Sequence, residues 1–422
     1  MTPRQPADTA PVERRPIAMV SSVLAVIVAL TLLVSGTGLQ PATSSARDLA
    51  ARPGLPTPRA LRTPTPEPTA PSVPTPTPPL EWPATPVVER AKAEGRTFAT
   101  FAMADGWANY GEQFTTFCEQ VLGYDCDAGH ARSLGETMVS SEVISAFTSD
   151  GFEARAALGG IWSLAIPYAA ASGALAPYTS PNARHLPTTV RGDGWLLPFS
   201  GVPGFIVNEQ RLAELKVPAP STWADLARPI YRGLVGMGTP GSSPSGTAAF
   251  LAIVLGHGGT LTDYAPIRTL ARALAANVTQ PAQDVKAFQA GTPPIDVAMD
   301  YDLTWMDEVV SQDGTRVTVV IPDDGSLYVP EAVVANGYDT AHMDLTKLFM
   351  DYLLSDAGQT IFAKYGGHPI RAVVKDPTYV IPASARDLLL GDATYANTKL
   401  YDLSVVDPTA IYGFWTTEVG GS

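Results

Sequence analysis

The sequence predicts an α/β fold preceded by an apolar segment and a proline-rich stretch. Three observations carry that expectation. From Val87 to the C-terminus, short apolar runs of strand length alternate with segments of helical periodicity, the pattern of βαβ units around a mostly parallel sheet. No period of about 20–50 residues recurs, which excludes a solenoid or a propeller. The chain has 422 residues, 45% of them hydrophobic, so a substantial core remains once the N-terminal part is set aside.

The elements follow in order. Arg14 and Arg15 precede an uncharged, largely apolar run from Ile17 to Gly36, IAMVSSVLAVIVALTLLVSG. Roughly 20 such residues cross a hydrocarbon core of about 30 Å, and the run exceeds the usual signal-peptide core of about 7–15 residues. Residues 1–16 are expected as a short cytoplasmic tail and 17–36 as a transmembrane anchor or uncleaved signal. Small residues from Ser44 to Ala46 keep cleavage open as the alternative, while the lack of a following cysteine closes the lipoprotein route. Arginines stay on the cytoplasmic side, so everything after Gln40 is expected outside, as a single-pass cell-membrane protein with an extracytoplasmic domain.

Residues 37–86 read as a Pro/Thr-rich disordered stalk. From Pro53 to Pro86 a proline at every second or third position removes backbone donors and fixes φ, which forbids both helix and sheet. Such a segment extends as polyproline II at about 3.1 Å per residue and acts as a semi-rigid spacer. O-glycosylation of its threonines would suit the same role.

Within the globular part, Thr97–Met103 reads as a strand and Trp107–Leu122 as an amphipathic helix with Phe114, Phe117 and Val121 on one face. Ser140–Phe147 reads as a short helix, Leu196–Val207 as an extended run, and Gly246–Gly256 and Pro266–Asn277 as helices. Strands are expected at Ile295–Met299 and Arg316–Ile321, and helices at Asp344–Leu354 and Ala357–Tyr365.

The formal net charge of −13 argues against nucleic acid, because phosphate contacts need clustered Lys and Arg. The five histidines, His130, His185, His257, His342 and His368, show no metal-ligand spacing, so neither a metal nor another cofactor is expected. There is no G-x-S-x-G elbow, no H-E-x-x-H and no cysteine with a histidine placed beside it, which argues against an enzyme. Cys118 and Cys126 are the only cysteines. Outside the cell an even count favours a disulfide between them.

Several stretches resemble one family. ADGWANYGEQFTTFCEQ follows the first strand; GVPGFIVNEQRLAELKVPAPSTWADLARPIYRGLVG lies mid-chain; SPSGTAAF opens the apolar helix; FMDYLLSDAGQTIFAKYGGHPIR lies towards the end. In order and spacing they resemble the type II periplasmic-binding-protein fold of ABC importers, in particular the iron/thiamine/polyamine-type solute-binding proteins. The resemblance covers most of Val87–Ser422. It implies two α/β lobes joined by two crossover hinge strands, at Leu197–Gly204 and near Pro322–Ser326. Lobe 1 would be residues 87–199 plus 327–422, and lobe 2 residues 200–326.

The resemblance also implies a ligand in the interlobe cleft, beyond the carboxyl ends of the strands and near helix N-termini. The residues at such positions are Asp105, Trp107, Asn109 and Tyr110 after the first strand, and Ser140 and Ser141 before the next helix. In the second lobe they are Ser245, Gly246 and Thr247, then Asp300, Tyr301 and Asp302. Carboxylates, aromatic faces and hydroxyls together suit a small polar solute, with a lean to a cation such as a polyamine or thiamine-like compound. Each also has a plain structural reading: Asp105, Ser140, Ser245 and Asp302 are good helix caps, and Trp107 suits a core. Iron-binding relatives carry adjacent tyrosines where this chain has single ones, Tyr301 and Tyr328, which weighs against iron.

The implied function is the extracytoplasmic solute-binding component of an ABC importer. Its expected partners are the solute, the ABC permease and, through the anchor, the membrane, and a monomer is expected. The alternative is an extracytoplasmic ligand-sensing module that signals to a partner protein.

Overall fold

The computed structural model describes residues 85–95, 98–124, 131–133, 143–144, 147, 156–279, 288, 297–304 and 317–419. The expected tail, the apolar run and the stalk up to residue 84 lie outside them. The chain divides into Met1–Thr75 and a compact unit, Pro76–Ser422, and only the latter is described. No described helix is long and apolar enough to cross a membrane.

Two sheets build the unit. The first comprises β1 (Phe98–Phe101), β2 (Ala131–Ser133), β3 (Ala156–Trp162), β4 (Arg191–Gly192), β5 (Trp195–Gly201), β11 (Ser326–Ala335), β12 (His368–Pro369) and β13 (Thr398–Leu400). Its order is β12-β5-β11-β3-β1-β2, with β4 added to β5 and β13 to β11. The second comprises β6 (Pro203–Asn208), β7 (Val235–Gly236), β8 (Val278–Thr279), β9 (Val297–Tyr301) and β10 (Val317–Val320), in the order β10-β6-β9-β7-β8.

The expectation of mostly parallel sheets needs correcting. β1 runs parallel to β2 and β3, and β7 to β8 and β9. However, β11 is antiparallel to both β3 and β5, and β6 to both β9 and β10. The reason is that β5–β6 and β10–β11 carry the chain between the sheets. A strand returning from the other sheet enters against the direction that the local strand–helix units lay down.

The extended run Leu196–Val207 breaks at Val202, where β5 ends in the first sheet and β6 begins in the second. Two glycines permit the passage. A Cβ on Gly201 would lie 3.0 Å from both Tyr301 and Leu303, and one on Gly204 would lie 2.5 Å from the Val320 carbonyl. At Gly204 the β10 backbone passes too close for any side chain, and at Gly201 the Tyr301 and Leu303 side chains would have to give way.

The helices carry the apolar faces that cover these sheets. They are α1 (Thr85–Ala93), α2 (Tyr110–Phe117), α3 (Pro244–Gly256), α4 (Arg268–Ala275), α5 (Met343–Leu353) and α6 (Asp356–Lys364). The positions of α3 to α6 agree with the sequence periodicity to within three residues at each end, as does the start of α2, whose predicted length is completed by a π-turn, Cys118–Leu122. α1 is not among the expected helices, and it begins at Thr85 inside the stretch read as stalk, with Pro86 tolerated in its first turn. Phe114 stacks on Phe349 at 4.6 Å and Phe199 on Phe362 at 4.6 Å, joining α2, α5, α6 and β5 into one core. The uniformly apolar α3 is buried through the core of the second sheet. Residues 403–419, expected with the first lobe, also join that core. Phe414 and Trp415 pack against Phe250 of α3 at 5.9 and 6.3 Å.

The first helix is fastened to the body at two points. Arg90 pairs with Asp344 at 2.7 Å. Glu94 accepts hydrogen bonds from the Asp344 and Leu345 amides, at 2.9 and 2.8 Å, and so satisfies free N–H groups at the start of α5.

Candidate functional site

The loop between β1 and α2 is strained. Ala102, Ala108 and Asn109 all have φ between 50° and 58°, in the left-handed region that side chains disfavour. The loop carries Trp107, half-buried, whose indole Nε1 donates a 3.0 Å hydrogen bond to Glu331 Oε2. The Trp107 ring also meets Tyr365 edge-on at 6.0 Å.

Glu331 projects from β11, directly across from Trp162 of β3. Cross-strand partners point to the same face, so Trp162 flanks the carboxylate. Tyr301, at the end of β9 in the second sheet, closes the group from the other side and lies against Gly201. The Tyr301 hydroxyl donates to the Pro244 carbonyl at 3.3 Å, in the first turn of α3. The cluster therefore draws Trp107, Trp162 and Glu331 from one sheet and Tyr301 from the other.

The electrostatics are those of an underfilled site. Burial pushes the Glu331 carboxyl up to about 8, and the one side chain that draws it down is the donating Trp107 indole. The Tyr301 phenol is raised well above its usual value, by burial first and then by the charges of Glu331 and Asp300. Trp162 partly offsets this, although its Nε1 makes no hydrogen bond of acceptable geometry.

The other sequence-predicted positions divide sharply. Tyr110 is a core residue, 1% exposed, with its ring against Phe114, Phe199 and Phe362. Gly246 and Thr247 serve packing. A Cβ on Gly246 would meet the Gly238 carbonyl at 2.0 Å, and Thr247 Oγ1 donates to the Ser243 carbonyl while accepting from the Gly241 amide, both at 2.7 Å. Ser243, not Ser245, caps α3, accepting from the Gly246 amide at 3.3 Å, and Ser245 stays half-buried beside it. Asp105 is exposed, and Asn109 rather than Asp105 stands at the cap of α2, its amide donating to Glu112 at 3.2 Å. Asp300 accepts from the Tyr301 amide at 2.8 Å. Ser140, Ser141 and Cys126 lie outside the described residues. Cys118 is buried, and among the described residues there is no free cysteine thiol.

Asp302 is buried, and its carboxylate is fully occupied. Oδ1 accepts from the Val202 and Leu303 amides at 2.9 and 2.8 Å. Oδ2 meets His368 Nε2 at 2.7 Å and accepts from the Tyr395 hydroxyl at 2.8 Å. The Asp302 amide in turn donates to the Val202 carbonyl at 2.9 Å. Asp302 thus clamps the crossover residue between β5 and β6 rather than facing a ligand.

Sequence reasoning missed Glu331 and Trp162. The usable signal for Glu331 is a lone acid within SLYVPEAVVA, an otherwise apolar strand. A charge there needs a reason, since burial without a partner is costly. Among the described residues, no group of three or more His, Cys, Asp or Glu could hold a metal ion.

Two sheets joined by crossover strands, with polar and aromatic groups from both meeting between them, define a type II periplasmic-binding fold. Solved structures agree. One is the periplasmic binding protein AfuA from Actinobacillus pleuropneumoniae with exogenous fructose-6-phosphate bound: 20% identity, TM-score 0.55, covering 78% of this chain and 99% of that one. Another is iron-bound HitA from Pseudomonas aeruginosa: 15% identity, TM-score 0.57, covering 77% and 100%. A third is the apo ferric ion-binding protein A of Pasteurella haemolytica: 14% identity, TM-score 0.54, covering 77% and 96%. At these identities the likeness concerns the fold. A search of curated protein sequences returns no match. The family model for bacterial extracellular solute-binding proteins matches residues 165–392, and the chain belongs to that family.

Proposed function

We propose that the chain captures a small organic cation between its two sheets and delivers it to an ABC permease. The observation that carries this reading is Glu331, a half-buried carboxylate with no cationic partner among the described residues, flanked by Trp107, Trp162 and Tyr301. An ammonium group would supply the missing charge to Glu331, and the aromatic faces would hold its alkyl or ring portion by cation–π contact. A sugar phosphate would bring a second negative charge to the same carboxylate. Ligand touching both sheets favours the closed arrangement of the lobes and shifts the equilibrium towards it.

The test is a thermal-shift panel with spermidine, thiamine, glucose 6-phosphate and ferric citrate, followed by calorimetric titration. Spermidine or thiamine should raise the melting temperature, with the gain lost in Glu331→Gln. A gain confined to the phosphate or to ferric citrate would overturn the reading.

Two further parts of the proposal rest on the sequence. The apolar run 17–36 anchors the domain, and the stalk keeps it at high effective concentration near the permease. Resistance of the full chain to carbonate extraction from membranes checks the anchor. Cys118 bridges Cys126 and pins the turn after α2. Alkylation of the unreduced, denatured protein should then add no mass, and two added groups would remove the bridge.

A further inference from the structure

On the opposite side of β11 from Glu331 lies a pocket of about 340 Å³ that the proposed cation site does not use. Tyr328, which lines it, stands three residues from Glu331, and an odd spacing along a strand places two side chains on opposite faces. Its volume falls in the range of small-molecule sites, about 300–1,000 Å³. Its back wall is His368, held between Tyr328 and Tyr395 with ring centroids at 5.4 and 4.5 Å. Its sides are apolar, with Val373, Leu389 and Leu390 among them.

The charge lining the pocket runs against the rest of the molecule. In a chain of formal net charge −13, the charged groups here are Lys375, Arg386 and a single acid, Asp392, with His368 behind them. Asp392 is already engaged, accepting from Arg386 at 3.0 and 3.1 Å. The ion pairs of this segment join Arg371 to Asp356 and Asp376, His185 to Asp376 and Arg386 to Asp392, and leave Lys375 out among the described residues. Lys375 also holds a costly backbone. Its φ is +58°, just past the helical turn Ile370–Val373, where glycine or asparagine is the usual occupant. Lys375 is exposed and, among the described residues, in no ion pair, so its ammonium group is free to meet an anion at the pocket.

We propose that this pocket is a second binding site, for a small organic anion with an apolar or aromatic body. The carboxylate of such a ligand meets Lys375, and its body packs on the tyrosine rings and the leucines. The wall it touches is the hinge clamp itself, because His368 and Tyr395 both hold Asp302.

The experiment titrates the full chain with benzoate, and with benzylamine as the control of opposite charge, by calorimetry and ligand-observed NMR. Benzoate should bind saturably and at least about tenfold more tightly than benzylamine, the weight of one charge-assisted contact. Lys375→Asn suits the left-handed backbone, so the variant should stay folded while losing about tenfold or more in benzoate affinity. Val373→Trp, which fills the pocket, should abolish binding, and Glu331→Gln should leave it unchanged. The proposal fails if benzoate does not saturate, if Lys375→Asn binds it as well as the parent, or if Glu331→Gln weakens it. That last result would place the anion in the cleft and count against the cation reading as well.

Discussion

Glu331 and Asp302 are two carboxylates near the same crossover, and they do opposite things. Asp302 spends its oxygens on two backbone amides, a histidine and a tyrosine. Glu331 has one indole N–H, and burial lifts its carboxyl to about 8. A buried acid with every lone pair met locks structure; one left short of partners stores a demand that a ligand can fill.

The sharpest way to break this comparison is Asp302→Ala. It strands the Val202 and Leu303 amides, the His368 ring and the Tyr395 hydroxyl, and should cost about 3–5 kcal/mol in denaturant unfolding. A loss below about 1 kcal/mol would mean that the clamp is ornamental. Glu331→Gln should show the reverse profile: affinity for the proposed cation falls at least about a hundredfold, roughly the 3 kcal/mol of a charged contact, while stability does not fall.

The pH dependence sharpens the contrast. The folded-state pKa of Glu331 is raised above its ordinary value, so its protonated form favours folding. That contribution is full below about 4.5 and is lost as pH rises to about 8. Glu331→Gln should therefore melt higher than the parent at pH 9 and nearly with it at pH 4.5. Cation affinity runs the other way. It should climb about tenfold per pH unit up to about 8 and level off above, because only the ionised carboxylate pairs. A flat profile in calorimetry would remove Glu331 from the site. The smallest expected effect is that of Trp107→Phe, which keeps a ring but loses the donor to Glu331, and should weaken binding by about 1 kcal/mol, some fivefold.

Much of this was legible in the sequence. The helices covering the sheets, the broken extended run Leu196–Val207 and the placement of Trp107 and Tyr301 follow from periodicity, from Gly and Pro positions and from the family resemblance. The rest was hidden for physical reasons. β11 is buried on both faces along most of its length and has no alternating pattern to announce it. Tyr110 and Trp107 look alike in sequence, each an aromatic after the first strand, and only three-dimensional packing sends one into the core. Asp302 and Asp300 are equally polar on paper. What separates them is the supply of donors brought from residues 202, 368 and 395, far apart along the chain.

The fastening of α1 has a mechanical side. A pull on the chain ahead of Thr85 enters the domain through Arg90 and Glu94 and is handed to α5, which packs in the first sheet's core. From α5 the load spreads into the core that also holds α2, α6 and β5. A pull at the N-terminal end of the described domain is therefore shared by a whole sheet's core instead of peeling off a single helix.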